Sequence, residues 1–280
     1  MLAWYAASAR DLPWRRPGTT PWGVVVSEVM LQQTPVARVE QPWRRWLEEW
    51  PTPAALAAAP TADVLRAWGR LGYPRRALRL QQCASAILER HAGEVPEDEA
   101  ALRALPGIGE YTAAAVLAFA FGRRTVVLDT NVRRVLGRVM TGQALPRPHL
   151  TRTERDQAAA VLPTEAASAA RWNVAVMELG ALVCTARSPD CSACPVQARC
   201  AWRLAGYPSD EHAALRRTQT WHGSDRQVRG RMLAALRAHP SPLPVLGLLA
   251  AADCPEEQAA RALASLDADG LVSQQGGFVH

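Results

Sequence analysis

No lysine occurs anywhere in the 280 residues. Every strongly basic side chain is therefore an arginine, and lysine Schiff-base chemistry on a sugar is excluded, because that chemistry needs a nucleophilic amine. Only the chain's own N-terminus remains to supply one. Long apolar runs are missing too. No stretch of about 18 residues is both apolar and free of charge, so no membrane-spanning helix is expected. The opening MLAWYAASARDLPWRR has no basic leader and too short an apolar stretch for a secretory signal. The cysteines are not spread as a disulfide framework would be: four fall within residues 184–200, while Cys83 and Cys254 stand alone. That is metal-ligand clustering, and the chain reads as soluble and intracellular. Its length allows one large or two modest domains with real cores. A net charge of +6 favours a polyanionic partner.

The most informative stretch is LPGIGEYTAAAVLAFAFGRRTVVLDTNVRRV, Leu105 to Val135. Pro106, Gly107 and Gly109 predict a tight turn, because glycine accepts positive φ and close backbone approach. Thr112 to Phe121 is Ala-rich and almost wholly apolar, which predicts a buried helix. A Gly-x-Gly turn opening a helix presents free amides and the positive end of the dipole, an arrangement that suits a phosphate. An ordinary helix–helix turn has the same pattern. Asp129 follows Val126-Val127-Leu128 and precedes Thr130-Asn131, the composition of a helix N-cap.

Taken together, this stretch resembles the helix–hairpin–helix and Gly/Pro-Asp signature of base-excision DNA glycosylases. The resemblance implies that the hairpin, with Gly107 and Gly109, grips the DNA backbone, and that Asp129 is the catalytic carboxylate. Relatives that also cut the strand carry a catalytic lysine two residues after the second hairpin glycine. Here that position is Tyr111, so the resemblance implies glycosidic cleavage by water without strand scission.

A second segment is SEVMLQQT, residues 27–34. Glu28 sits among Val24, Val25, Val26, Val29, Met30 and Leu31. A carboxyl in such surroundings has a raised pKa, as a general acid at neutral pH requires; a surface or helix-capping glutamate has the same local sequence. The string resembles the matching segment of MutY-type adenine DNA glycosylases. In that family the glutamate protonates adenine and the glutamine pair, here Gln32 and Gln33, probes the duplex beside the extruded base. Where the family has two adjacent tyrosines, this chain has Tyr73 followed by Pro74. One of that pair wedges into DNA beside the damaged guanine, so Tyr73 is expected to touch DNA while Pro74 weakens the carry-over of lesion contacts.

Cys184, Cys191, Cys194 and Cys200 have the spacing C-x6-C-x2-C-x5-C. Four thiolates at this spacing suit zinc or an iron–sulfur cluster, and by chemistry alone zinc is the commoner structural choice. The spacing matches that of the endonuclease III and adenine glycosylase families, which implies a 4Fe–4S cluster fixing a loop with Arg187, Arg199 and Arg203 against DNA. Cys83, at helical spacing, reads as a core residue.

The resemblance covers roughly residues 4–205 and implies an all-α, two-domain helix–hairpin–helix DNA glycosylase core. Expected boundaries are a six-helix domain at 22–130, an iron–sulfur domain from 1–21 plus 131–205, a linker at 206–226 and a small module at 227–280. Residues 1–22 read as an irregular arm with aromatic anchors, and 52–104 as three or four amphipathic helices. The C-terminal module shows helix, Pro break, two further helices and a hairpin; a winged helix and a helical cap packed on the body fit equally. It is too short for the Nudix-like domain of the best-known relatives. The implied activity is excision of adenine mispaired with 8-oxoguanine or guanine from double-stranded DNA, by a monomer in the cytoplasm at the nucleoid. Asn131 and Tyr111 would support Asp129. The alternatives are a thymine or uracil mismatch glycosylase on the same scaffold and a non-catalytic iron–sulfur DNA-binding protein.

Overall fold

Fifteen α-helices, five short 3-10 or π turns and three very short strands are the elements of the structure, a computed structural model describing residues 1–215, 221–239 and 241–280. Of the expected linker, residues 216–220 lie outside the described residues. The N-terminal arm is less irregular than its sequence suggests. Leu2–Ser8 forms α1, and Met1 and Trp4 pack beside the core built on Val132 and Leu179. Leu12 and Trp14, by contrast, are buried in the larger core with Trp22 and Val25. The arm therefore straddles two cores.

The larger core gathers α2 (Pro21–Leu31), α3 (Glu40–Glu49), α4 (Pro53–Ala57), α5 (Thr61–Trp68), α6 (Arg75–Arg90), α7 (Glu99–Arg103) and α8 (Glu110–Phe121). The four helices α4 to α7 fill the segment 52–104. Helix α2 starts where Thr20 accepts a hydrogen bond from the Gly23 amide at 3.1 Å and Pro21 occupies the first turn. It is apolar nearly all round and correspondingly buried. Trp46 packs edge-on to both Trp50 and Trp68, with centroids 4.7 and 5.6 Å apart. Cys83 is fully buried here, and burial pushes its thiol up to about 12, so it is an inert core residue.

The second core joins α9 (Thr130–Leu136), α10 (Arg152–Val161) and α11 (Ala166–Leu182) to the cysteine-bearing loop, which ends in α12 (Ala201–Leu204). Helix α11 crosses α9 closely at Gly180, whose missing side chain makes room for Asn131.

The third core is C-terminal: α13 (Asp225–Ala238), β1 (Leu243–Pro244), α14 (Val245–Ala251), α15 (Glu256–Ala268), β2 (Gln274–Gln275) and β3 (Phe278–Val279). The antiparallel sheet has the order β1-β3-β2. Helix, strand, two helices and a terminal hairpin is the order of a winged helix. The module also packs on the body, through Leu65 and Leu78 and an Arg75–Asp269 ion pair of 3.4 Å. Both sequence readings of this module therefore hold at once.

Candidate active site

Three elements deliver the carboxylates and the hairpin. The last turn of α2 carries Glu28, which is 5% exposed. The start of α8 carries Tyr111, whose hydroxyl lies close enough to the Glu28 carboxyl to act on its pKa. The start of α9 carries Asp129, close enough to Glu28 to act on it electrostatically. Burial, countered in part by the Tyr111 hydroxyl, raises the Glu28 pKa from 4.5 to about 7, and the Asp129 charge adds to the rise. Glu28 is therefore a carboxyl that holds its proton near neutrality. Burial and the two nearby carboxylates push the Tyr111 hydroxyl well above its ordinary range, so it stays a hydrogen-bond donor.

Asp129 is the N-cap of α9: its Oδ1 accepts from the Val132 amide at 2.6 Å. Its Oδ2 accepts from Asn131 Nδ2 at 2.8 Å. Burial raises its pKa, and these two hydrogen bonds together with the Arg134 charge oppose the rise. The network continues outward. Asn131 Oδ1 accepts from Arg134 Nη2 at 2.7 Å, and the same guanidinium donates to the carbonyls of Gly180 and Cys184 at 2.7 and 2.8 Å. The apolar run before Asp129 forms no strand. It is an extended segment held by Asn173, whose Nδ2 donates to the Thr125 carbonyl at 2.9 Å.

The hairpin joins α7 to α8. Gly107 has φ of +80°, and a Cβ there would stand 3.0 Å from Arg79 Cβ, so only glycine fits both the conformation and the space. Gly109 is the N-cap of α8. Among the described residues, the amides of Gly107 and Gly109 donate to no protein acceptor.

Arg76 on α6 supplies what the end of α2 lacks. One of its guanidinium nitrogens donates to the carbonyls of Val29, Met30 and Gln32 at 2.8, 3.1 and 2.6 Å. The other reaches the Thr34 hydroxyl and the carbonyls of Leu71 and Gly72. It thus ties the Gln32-Gln33 turn to the Tyr73 loop. Gln33 and Tyr73 are both exposed and both have positive φ, 54° and 47°. Non-glycine residues rarely hold that conformation, and here the Arg76 clamp imposes it on neighbouring tips.

Sequence reading missed Arg10, Arg15 and Glu178. Glu178 is fully buried in α11, bonded by Arg10 Nε at 2.6 Å and Arg15 Nη1 at 2.8 Å. Burial would raise its pKa, but the two arginines outweigh it and hold the carboxyl down to about 2. Through this pair the arm segment Leu12 to Arg15 is fixed beside the site, where the Arg15 charge acts on Glu28 and Tyr111. The available signal was a lone glutamate in the apolar helix AVMELGAL, the same kind of signal that marks Glu28.

All four clustered cysteines line one pocket. None is in a disulfide. Among the described residues, no three His, Cys, Asp or Glu stand together as a single ion's ligands. Four thiols around a shared space are a donor set that suits an iron–sulfur cluster. Arg138 is buried against it, donating to Cys184 Sγ at 3.3 Å and to the carbonyls of Thr185 and Ala186. The Trp202 ring lies 4.3 Å from its guanidinium carbon. This is the charge-neutralising surround that a thiolate cluster needs.

Known proteins agree with this arrangement. Residues 26–159 match the HhH-GPD superfamily of base excision DNA repair proteins, and residues 184–200 match the iron–sulfur binding domain of endonuclease III. An adenine DNA glycosylase of Mycobacterium tuberculosis is 52% identical over 275 residues, covering 98% of this chain and 89% of that protein. Among solved structures, a thermostable thymine-DNA glycosylase superposes with a TM-score of 0.66 at 25% identity, covering 73% of this chain and 93% of that one. A trapped endonuclease III–DNA covalent intermediate gives 0.61 at 25% identity, covering 73% and 92%. The fold is thus one seen in complex with DNA, and no helix among the described residues is long and apolar enough to cross a membrane. With its helix–hairpin–helix, the buried Glu28 near Asp129 and its iron–sulfur loop, the chain belongs to the adenine DNA glycosylase family.

Proposed function

We propose that the chain excises adenine mispaired with 8-oxoguanine or guanine in duplex DNA, as a monomer, and leaves an abasic site. The observation that carries this reading is a buried carboxyl, Glu28, whose pKa of about 7 is set by burial, by the Tyr111 hydroxyl and by the charge of a second carboxylate, Asp129. A base stacked in a duplex must be flipped out before its glycosidic bond is reachable. Glu28 then donates its proton to N7 of the adenine. The C1′–N9 bonding pair departs with the base, and positive charge grows on the sugar as in other glycoside cleavages. Asp129 stabilises that charge, held in place by Asn131 and by the Val132 amide. Water adds to C1′ and gives up its proton, completing the hydrolysis. Neither Tyr111 nor any other side chain here supplies the amine that strand scission by Schiff base requires.

The unpartnered amides of Gly107 and Gly109 hold a backbone phosphate, and Gln32, Gln33 and Tyr73 touch the duplex near the extruded base. Cys184, Cys191, Cys194 and Cys200 hold a 4Fe–4S cluster, whose contribution is to cross-link the loop they span. The buried cores support division into a domain at 22–130, expected with six helices and here holding the seven helices α2 to α8, an iron–sulfur domain from 1–21 plus 131–205, and a C-terminal module at 227–280 after the linker at 206–226. The arm's split between two cores makes its assignment to the iron–sulfur domain a matter of chain order.

The test is strand cleavage of duplexes carrying one A opposite 8-oxoguanine, A opposite G, or T opposite G, with and without hot alkali. Cleavage at adenine only after alkali is expected. Cleavage at thymine would transfer the chain to the thymine-DNA glycosylase activity named for its structural neighbour. Iron and acid-labile sulfide in equal amounts are expected in the purified protein; zinc alone would overturn the cluster.

A further inference from the structure

Among the described residues, five arginines gather about the Tyr73 loop, none of them paired with a carboxylate. The Arg76 guanidinium carbon is 5.5 Å from the Tyr73 ring centroid. Arg38 donates to the Arg70 carbonyl and lies within Coulombic range of Arg76. From the C-terminal module, Arg226 Nη1 stands 3.2 Å from the Tyr73 hydroxyl, and Arg237, near the other end of α13, lies within Coulombic range of Arg70. The neighbouring carboxylates are engaged elsewhere. Asp63 pairs with Arg66, Asp269 with Arg75 and Arg229, and Asp253 with Arg231, while Asp225 accepts from Gln258. Two exposed aromatics complete the patch: Tyr73, 44% exposed, and Trp221, 48% exposed, with Arg226 stacked 5.1 Å from its ring centroid.

Gathering like charges beside exposed rings costs free energy in the isolated protein and is recovered on a polyanion with stackable or apolar faces. In a free winged helix the second helix of the helix-turn-helix enters the groove. Here that helix, α15, begins with Glu256 and Glu257, so its chemistry opposes DNA. The basic edge is on α13 instead, continuous with the Tyr73 loop and, through Arg76, with the Gln32-Gln33 turn.

We propose that the winged-helix module is part of the DNA interface, with Arg226 and Arg237 of α13 binding phosphates of the strand that passes the Tyr73 loop and Trp221 packing against it. This rests on duplex DNA as the ligand of the core. The experiment titrates the full chain with a fluorescent duplex carrying A opposite 8-oxoguanine, from about 50 to about 300 mM salt. Each of R226A and R237A should lower the slope of log K against log salt by about one, and the pair by about two. The lysine variants R226K and R237K should keep the wild-type slope, because the charge stays. R231A, whose cation is already held by Asp253 and the Ala252 carbonyl, should not change it. An unchanged slope in the double alanine variant overturns the proposal, as does an equal loss in the lysine variants. A wild-type chain that binds this duplex and removes no adenine would overturn the activity while leaving this interface standing.

Discussion

The Tyr111 hydroxyl lies close enough to the Glu28 carboxyl to lower its pKa, bringing the first turn of the hairpin helix against the last turn of α2 across the site. Two consequences follow from that single contact. Tyr111 sits where strand-cutting relatives carry a lysine, and it steadies the group that would otherwise be an isolated buried acid. The contact also lowers the Glu28 pKa from where burial alone would place it, leaving the acid poised near neutrality.

Replacing Glu28 with glutamine should cut adenine release roughly 10²–10⁴-fold, the usual share of a general acid. The protonated carboxyl is the active form, so the wild-type single-turnover rate should fall as pH rises through about 7. The folded-state pKa lies above the ordinary 4.5. Protonation therefore favours the native state, and that stability is lost as pH rises through about 7. E28Q should accordingly gain in melting temperature over wild type at alkaline pH relative to acidic pH. A rate that is flat from about pH 5.5 to about 8.5 would rule Glu28 out as the acid.

Asp129→Asn separates catalysis from capping. Asparagine caps a helix as well as aspartate, so stability should change by less than about 1 kcal/mol. Loss of the charge should slow excision by about a thousandfold or more, at least about 4 kcal/mol of transition-state stabilisation. Duplex binding should survive. Melting curves, titrations and single-turnover assays on one preparation decide it, and retained turnover would reduce Asp129 to a helix cap.

Gly180→Ala tests the packing beneath that carboxylate. Its new Cβ would stand 2.7 Å from Asn131 Cβ and 3.1 Å from the Asn131 carbonyl oxygen. Overpacking of this kind costs about 1–3 kcal/mol, and the shift is passed to Asn131, which holds Asp129. Lower kcat with little change in KM is expected, together with a lower Tm. G230A, where the added methyl meets open space, is the matched control. Wild-type kcat in G180A would show that Asn131 does not position the carboxylate.

Arg76→Ala should cost on the order of 2–3 kcal/mol, because it strips donors from the end of α2 and from the Tyr73 loop together. Arg76→Lys should recover little, since a point charge cannot span acceptors on two segments. Thermal melts measure both. A lysine variant as stable as wild type would mean that the fork geometry is unimportant.

Much of the site was legible because its chemistry is written in short local patterns. A glutamate in a valine run, two glycines before an apolar helix, an aspartate ahead of Thr-Asn, and four cysteines at close spacing each announce a local environment. The helical identity of 52–104 and of the hairpin was equally local. Arg15 and Glu178, 163 residues apart, were not legible as a pair. Each is ordinary in its own segment, and only packing makes them partners. The same holds for α1, where a sequence with tryptophan and tyrosine anchors reads as an arm but coils once it has α11 to lie on.

By itself the sequence determined the turn, caps, apolar helices and thiol spacing, and it ruled out lysine chemistry outright, because these depend on residue type and separations of a few positions. Tertiary structure decided which charges meet. Glu28 acquires its proton affinity from burial and from the Asp129 charge, with Tyr111 opposing the rise, and both residues are on other helices. Arg134 joins Asp129, through Asn131, to the backbone of Cys184. The winged-helix module lies against the Tyr73 loop through contacts some 150 residues apart in the chain, where Arg226 reaches Tyr73. Electrostatic energy depends on distance and on exclusion of water, and neither exists until the chain has folded.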